Sequence, residues 1–239
     1  LTADLLHQHI YPSWAPDGES FVFSGNHSGT FKIYEMDLEG NMEMIGDVSG
    51  ELYAPAVSPD GSQILFTRHI SQDEHFISLM ERDGSRVINL TNYYDAQDPV
   101  WSSDGSRILF SALEDGVEQF YTMEANGRDI QPVAGLENIR GRSDWALDLT
   151  IATFAGSRDE HEREIVLLEA EGTPVILTQG GDNLSPAFSP DGQWIAFMSY
   201  RDHYWEADGC EIYVMRRDGS DIRRLTDNTY CDYQPRWSK

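Results

Sequence analysis

Lysine is nearly missing from this 239-residue sequence. Only Lys32 and Lys239 are lysines among 17 basic residues, against 41 acidic ones, for a formal net charge of −24. A surface this acidic repels nucleic acid and anionic membranes, and it suits solubility or cationic partners. No apolar run approaches the roughly 18 residues that would mark a membrane-spanning helix, so membrane insertion is not expected. Cysteine is almost as scarce. Cys210 and Cys231 are too few for a disulfide framework but enough for one bridge. The common catalytic signatures are missing as well: there is no G-x-S-x-G nucleophile elbow, no glycine-rich phosphate loop and no basic patch. HERE (161–164) starts like His-Glu-x-x-His, but residue 165 is Ile. The chain opens on Leu1 with no signal peptide in view, which reads as a processed product or an excerpt.

What the sequence does contain is globular and repetitive. Hydrophobic residues make up 40% and aromatics 11%, values that exclude a disordered chain. WAPDG (14–18), VSPDG (57–61), WSSDG (101–105), WALDL (145–149) and FSPDG (188–192) begin 43, 44, 44 and 43 residues apart, and WSK (237–239) opens a further copy. Each unit then repeats an order. A first apolar run (FVF 21–23, ILF 64–66, ILF 108–110, IATF 151–154, IAF 195–197) precedes a second (KIYEM 32–36, FISLM 76–80, QFYTM 119–123, EIVLL 164–168, EIYVM 211–215). A tight turn follows at Gly40, Gly84, Gly127, Gly172 or Gly219, then a third run, clearest in RVINLT (86–91), VILT (175–178) and IRRLT (222–226).

Short β-branched and aromatic runs punctuated by turn residues are strands, and four per ~44 residues is the pattern of a propeller blade. Ser-Pro-Asp-Gly suits a type I turn. The fourth unit keeps only Asp148 of that motif, so its turn is expected to be the least regular. Inner-strand motifs number six: YPSW (11–14), APAV (54–57), DPVW (98–101), RSDW (142–145), SPAF (185–188) and QPRW (234–237). The other three strands recur five times. The expected fold is therefore a single all-β propeller domain over 1–239, with five complete four-stranded antiparallel blades. Trp14, Trp101, Trp145, Phe188 and Trp237 should sit at equivalent inner-strand places.

SPDGQWIAFMSYRD (189–202), EIYVMRRDGSDIRRLT (211–226) and LTDNTYCDYQPRWS (225–238) together resemble the TolB-type propeller repeat, a WD-repeat-like family. The resemblance covers essentially the whole chain, but it rests on turn and core positions. It implies bacterial envelope or exported (periplasmic or extracellular) placement. It also implies ring closure by a C-terminal inner strand completing the N-terminal blade. On that reading the alternative is a six-bladed parent whose N-terminal strands lie upstream.

Alternation of strand direction sorts the loops onto two faces. Loops between second and third strands share one face with loops leading into the next blade. All seven histidines fall there: His7, His9, His27, His69, His75, His161 and His203. So does RDHYWEADGC (201–210), an insertion that makes the fifth unit 16 residues long between Phe197 and Tyr213, where the first needs 11 between Phe23 and Tyr34. These histidines, with Tyr204, Trp205 and Tyr233, form the candidate binding set. Cys210 closes the long loop and Cys231 lies in the loop leaving the same unit, so a disulfide is expected. Asp159, Glu160, His161, Asp202 and Asp208 are the weaker candidates for calcium or a transition metal; no cofactor is otherwise expected. The leading reading is a non-enzymatic, monomeric binding module for a protein or peptide, with a glycan as a further option. The alternative is a metal-dependent lyase for pectic oligosaccharides, or a glycan hydrolase, built on a propeller.

Overall fold

The structure, a computed structural model, describes residues 6–71, 74–92, 95–114, 116–137, 141–156, 161–169, 173–203 and 209–238. Among these described residues, twenty strands form five four-stranded antiparallel sheets, and there is no helix. The first sheet is β1 (His9–Trp14), β2 (Ser20–Gly25), β3 (Lys32–Asp37) and β4 (Met42–Met44); the second is β5 (Glu51–Val57), β6 (Gln63–Ser71), β7 (Glu74–Glu81) and β8 (Ile88–Asn89). The third is β9 (Gln97–Trp101), β10 (Arg107–Glu114), β11 (Val117–Glu124) and β12 (Gln131–Glu137). The fourth is β13 (Asp144–Trp145), β14 (Ile151–Ala155), β15 (Glu164–Leu168) and β16 (Val175–Ile176); the fifth is β17 (Asn183–Phe188), β18 (Trp194–Ser199), β19 (Glu211–Arg216) and β20 (Arg223–Arg224). In every sheet the strands lie in chain order, as hairpin connections require. Packing divides the chain into two compact units, Leu1–Pro132 with Ser238–Lys239, and Val133–Trp237.

Within each unit, middle strands that lie between two blades are apolar on both faces. In the first unit, Ile64 and Phe66 of β6 pack with Val22, Ile33 and Met80, while Leu65 of the same strand packs with Trp101, Ile108 and Phe110. In the second unit, Phe154 and Ile165 meet Phe188, Ile195, Phe197 and Met215. A fully buried Phe or Ile contributes about 1.5–3 kcal/mol, and the twofold period of a strand distributes these contributions to both sides.

The inner strands are stitched together one repeat apart. The Ser13 hydroxyl accepts the Val57 N–H at 3.2 Å, and the half-buried Asp144 carboxylate accepts the Phe188 N–H at 2.7 Å. Trp14, Trp101, Trp145 and Phe188 each end an inner strand. The Trp101 indole donates to the Ala56 carbonyl at 3.1 Å, and Trp237 repeats the contact to Ala187 at 3.0 Å. Trp237 therefore docks on the fifth sheet as the next inner strand would, although its own segment forms no ladder.

Two backbone features were not evident in the sequence pattern. In five inner-strand motifs the residue before proline has a left-handed φ: Tyr11 at 59°, Ala54 at 49°, Asp98 at 53°, Ser185 at 51° and Gln234 at 55°. Proline bars its predecessor from the right-handed helical region and removes a ladder donor. Four of these sites lie where pairing with the second strand slips out of register, which is how a bulge accommodates them. The fourth motif, RSDW, lacks proline, and β13 is two residues long.

The second feature concerns the fourth turn, which keeps the shape of the others without their proline and glycine. The Asp148 carboxylate accepts the Thr150 N–H at 3.2 Å, as Asp60 and Asp104 accept those of Ser62 and Ser106 at 3.0 and 2.9 Å. Leu149 takes φ 65°, within the 67–77° span of Gly18, Gly61, Gly105 and Gly192 to about 2°. The aspartate bond and the flanking strands impose the turn on a side chain that disfavours it, at about 1 kcal/mol.

Candidate binding site

The histidines gather into separate groups, each described within its own unit. In the first unit, His9 Nε2 and His27 Nε2 share a hydrogen bond of 2.7 Å, and the His7 ring stacks on His27 at 4.3 Å. Phe23 and Tyr34 pack edge-on against His9 and His27, at 5.4 and 5.1 Å. Since one imidazole must accept the shared bond, both cannot be protonated while it persists.

In the same unit, antiparallel pairing of β6 with β7 sets His69 opposite His75, and their rings stack at 3.8 Å. Phe31, Tyr53 and His69 continue this aromatic row at 4.9 and 4.7 Å. His75 Nδ1 lies 2.9 Å from the Asp95 carboxylate. An open pocket of about 500 Å³ lies beside the stack, lined by Thr30, Lys32, Glu51, His69, Ile70 and Ser71 among others. Lys32 Nζ donates to the Val48 and Gly50 carbonyls at 2.5 and 2.9 Å, and Tyr53 donates its hydroxyl proton to Glu51 at 2.8 Å. Burial and the Glu51 acceptor push the Tyr53 phenol well above its ordinary value.

In the second unit, His161 contacts Asp182 at 3.3 Å, and Arg163 grips that carboxylate at 2.6 and 2.5 Å. Burial raises the Asp182 pKa, but Arg163 and His161 outweigh it and hold the carboxyl below the usual range. The fifth sheet carries a denser network. Glu211, 1% exposed, accepts from Thr226 Oγ1 at 2.5 Å, from Arg224 at 2.6 Å and from the Asn228 N–H at 3.1 Å. Burial pushes its carboxyl up, and these three partners together bring it below the ordinary value. Arg224 also reaches Asp227 at 2.8 Å, Asp202 at 3.5 Å and His203 at 3.5 Å. His203, Glu211 and Asp227 offer ligand atoms within 4.8 Å of one another, a spacing that could hold a metal ion. In this structure the Arg224 guanidinium supplies the positive charge there.

The Cys210–Cys231 disulfide is present, with Cα atoms 4.5 Å apart. It joins the insertion to the loop leaving the fifth sheet, and the Asp232 N–H donates to the Cys210 carbonyl at 2.8 Å beside it. Pairing of Phe197 with Tyr213, and of Phe23 with Tyr34, confirms that the insertion lies between β18 and β19. Tyr233 is exposed, as is Tyr230. Asp202 accepts the Tyr213 hydroxyl at 2.6 Å. Tyr204, Trp205, Asp208, Asp159 and Glu160 lie outside the described residues.

Sequence reasoning missed Lys32, Glu51, Arg224 and Glu211. The last two had a signal in the recurring Leu-Thr pair. Thr91, Thr178 and Thr226 each accept a third-strand N–H (Ile77, Ile165, Ile212) at 2.9–3.0 Å. Thr178 and Thr226 then donate to Glu164 and Glu211 at 2.5 Å, so the Glu that opens EIVLL and EIYVM marks an acceptor, half-buried at Glu164 and buried at Glu211.

Residues 5–149, more than half of the chain, match the family model of the TolB beta propeller domain. The chain belongs to that family. An uncharacterized protein of Agrobacterium fabrum is 25% identical over 235 residues, covering 94% of this chain and 60% of the relative. Among solved structures, TolB from Acinetobacter baumannii has a TM-score of 0.83 at 23% identity, covering 97% of this chain and 57% of that one. An oligogalacturonate lyase in complex with manganese has a TM-score of 0.64 at 15% identity, covering 95% and 68%. The chain thus spans about 60% of the length of the first two. At these identities the structural likeness establishes the fold, an all-β propeller with five four-stranded antiparallel blades here, and assigns no residue roles.

Proposed function

We propose that this propeller is a non-enzymatic binding module of the bacterial envelope or exported space, which engages a protein or peptide through the loops bearing its histidines. The observation that carries this reading is the Cys210–Cys231 bridge, which pins the inserted loop to the loop bearing Tyr230 and Tyr233, 72% and 46% exposed. Tethered loops lose little entropy on binding, and exposed aromatic side chains supply hot-spot area. Trp205 on the insertion would act with them, and His203 beside it. A disulfide accords with an oxidising compartment. The charge of −24 favours a cationic ligand whose association weakens with salt. The metal-dependent alternative would draw on His203, Glu211 and Asp227, and it would first have to displace Arg224.

The test is to pan a random peptide display library on the oxidised protein and rebind the winners to a Trp205→Ala/Tyr230→Ala/Tyr233→Ala variant. Basic peptides should be enriched, and the variant should lose about 2 kcal/mol or more of affinity with its melting temperature nearly unchanged. No enrichment, or binding indifferent to the three substitutions, would refute the reading.

A further inference from the structure

The pocket beside the His69–His75 stack holds two opposite charges that do not neutralise each other. Lys32 and Glu51 both line it, yet neither has an ion-pair partner among the described residues. Lys32 directs two of its three N–H groups to the Val48 and Gly50 carbonyls, which fixes the ammonium and leaves one donor. Glu51 receives the Tyr53 hydroxyl on Oε2, and its Oε1 accepts nothing from the described residues. Both groups are half-buried, so each is pre-positioned with charge-assisted hydrogen-bonding capacity to spare.

We infer that this pocket binds a small zwitterion, a free α-amino acid or a dipeptide, with the ligand carboxylate on Lys32 and its ammonium on Glu51. Three observations select this class. The two charges share one pocket and are held by separate neighbours, so a ligand carrying both signs satisfies both at once. A net anion would have to approach a protein of charge −24, and a net cation would leave Lys32 unanswered. The volume of about 500 Å³ holds a molecule of one or two residues. The stacked faces of His69 and His75, with Ile70, Thr30 and Ser71, line the rest of the pocket and can receive its side chain. This inference does not depend on the peptide-docking reading, which concerns the disulfide-tethered loops of the fifth sheet.

The experiment is a melting-temperature screen of the oxidised protein against each of the twenty amino acids at about 10 mM, followed by calorimetric titration of the best. Ligand binding to the native state alone raises the transition, and an increase of about 2 °C or more is expected for at least one. N-acetylation or carboxyl amidation of that amino acid should each weaken binding at least about tenfold, since each removes one charge-assisted contact. Glu51→Gln should do the same while leaving the unliganded melting temperature within about 2 °C. Lys32→Met should abolish binding too, but Lys32 also ties down two loop carbonyls, so the chemically blocked ligands carry the decision. The inference is overturned if no amino acid shifts the transition, or if a blocked ligand binds as well as the free one.

Discussion

Blades two and five both carry clusters of polar side chains and use them in opposite ways. In blade five the charged groups satisfy one another: Arg224 is surrounded by Glu211, Asp227, Asp202 and His203, and a disulfide locks the loops. In blade two the imidazoles stack, and Lys32 from the neighbouring blade and Glu51 face an open pocket with hydrogen-bonding capacity left over. A histidine in such a cluster is therefore no indicator of ligand binding by itself. What its neighbours leave unsatisfied decides the matter.

The largest expected effect comes from opening blade five. Arg224→Met leaves the Glu211 carboxylate buried without its cation, the costly case for a buried pair. Urea denaturation should show a loss exceeding that from reducing the disulfide. Arg224→Ala should also remove the guanidinium from among His203, Glu211 and Asp227, so zinc should raise the melting temperature of this variant and leave the parent unchanged. Reduction of Cys210–Cys231, which are 21 residues apart, should cost about 3 kcal/mol by loop-closure entropy, measured as the difference between oxidised and reduced unfolding curves.

Smaller effects probe the seams and turns shared by both blades. Trp101→Phe removes the indole donor to Ala56 and should cost about 1 kcal/mol beyond repacking. Leu149→Asn replaces a side chain strained at φ 65° by one that tolerates it, with an expected gain of up to about 1 kcal/mol. The turn aspartates Asp60 and Asp104 are held to about 2 by hydrogen bonds from Ser58 and Ser62, and from Ser102 and Ser106. Their folded pKa lies below the unfolded value. Their stabilisation is thus complete above about pH 4 and lost as pH falls toward 2, and Asp104→Asn should flatten that stretch of an acid unfolding curve.

Strand identity and blade count were legible because they rest on apolar period and turn spacing, which are local. EIVLL matches β15 residue for residue, and the predicted cysteine pair is bonded. The left-handed pre-proline residues escaped notice although proline recurs at a fixed offset, because proline announces a missing donor and not the bulge that answers it. Leu149 shows the converse: one aspartate and two strands kept a turn whose proline and glycine were gone. The candidate site was read less well. Which carboxylate Arg224 selects, or that Lys32 reaches across to Gly50, depends on tertiary neighbours that no spacing encodes.

The contacts between consecutive inner strands carry a consequence for how such a chain can change length. Ser13 answers Val57, and Asp144 answers Phe188, each pair 44 residues apart. Acceptor and donor thus sit at fixed, adjacent positions of successive copies. A tandem duplication or excision of one whole repeat returns every acceptor a donor of the same kind, wherever in the repeat the break falls. A change of any other size tolerated in the body of a blade would misalign the seam. Growth by recombination is therefore quantised in repeats, while the variable loops remain free to vary in length, as the insertion between β18 and β19 has done.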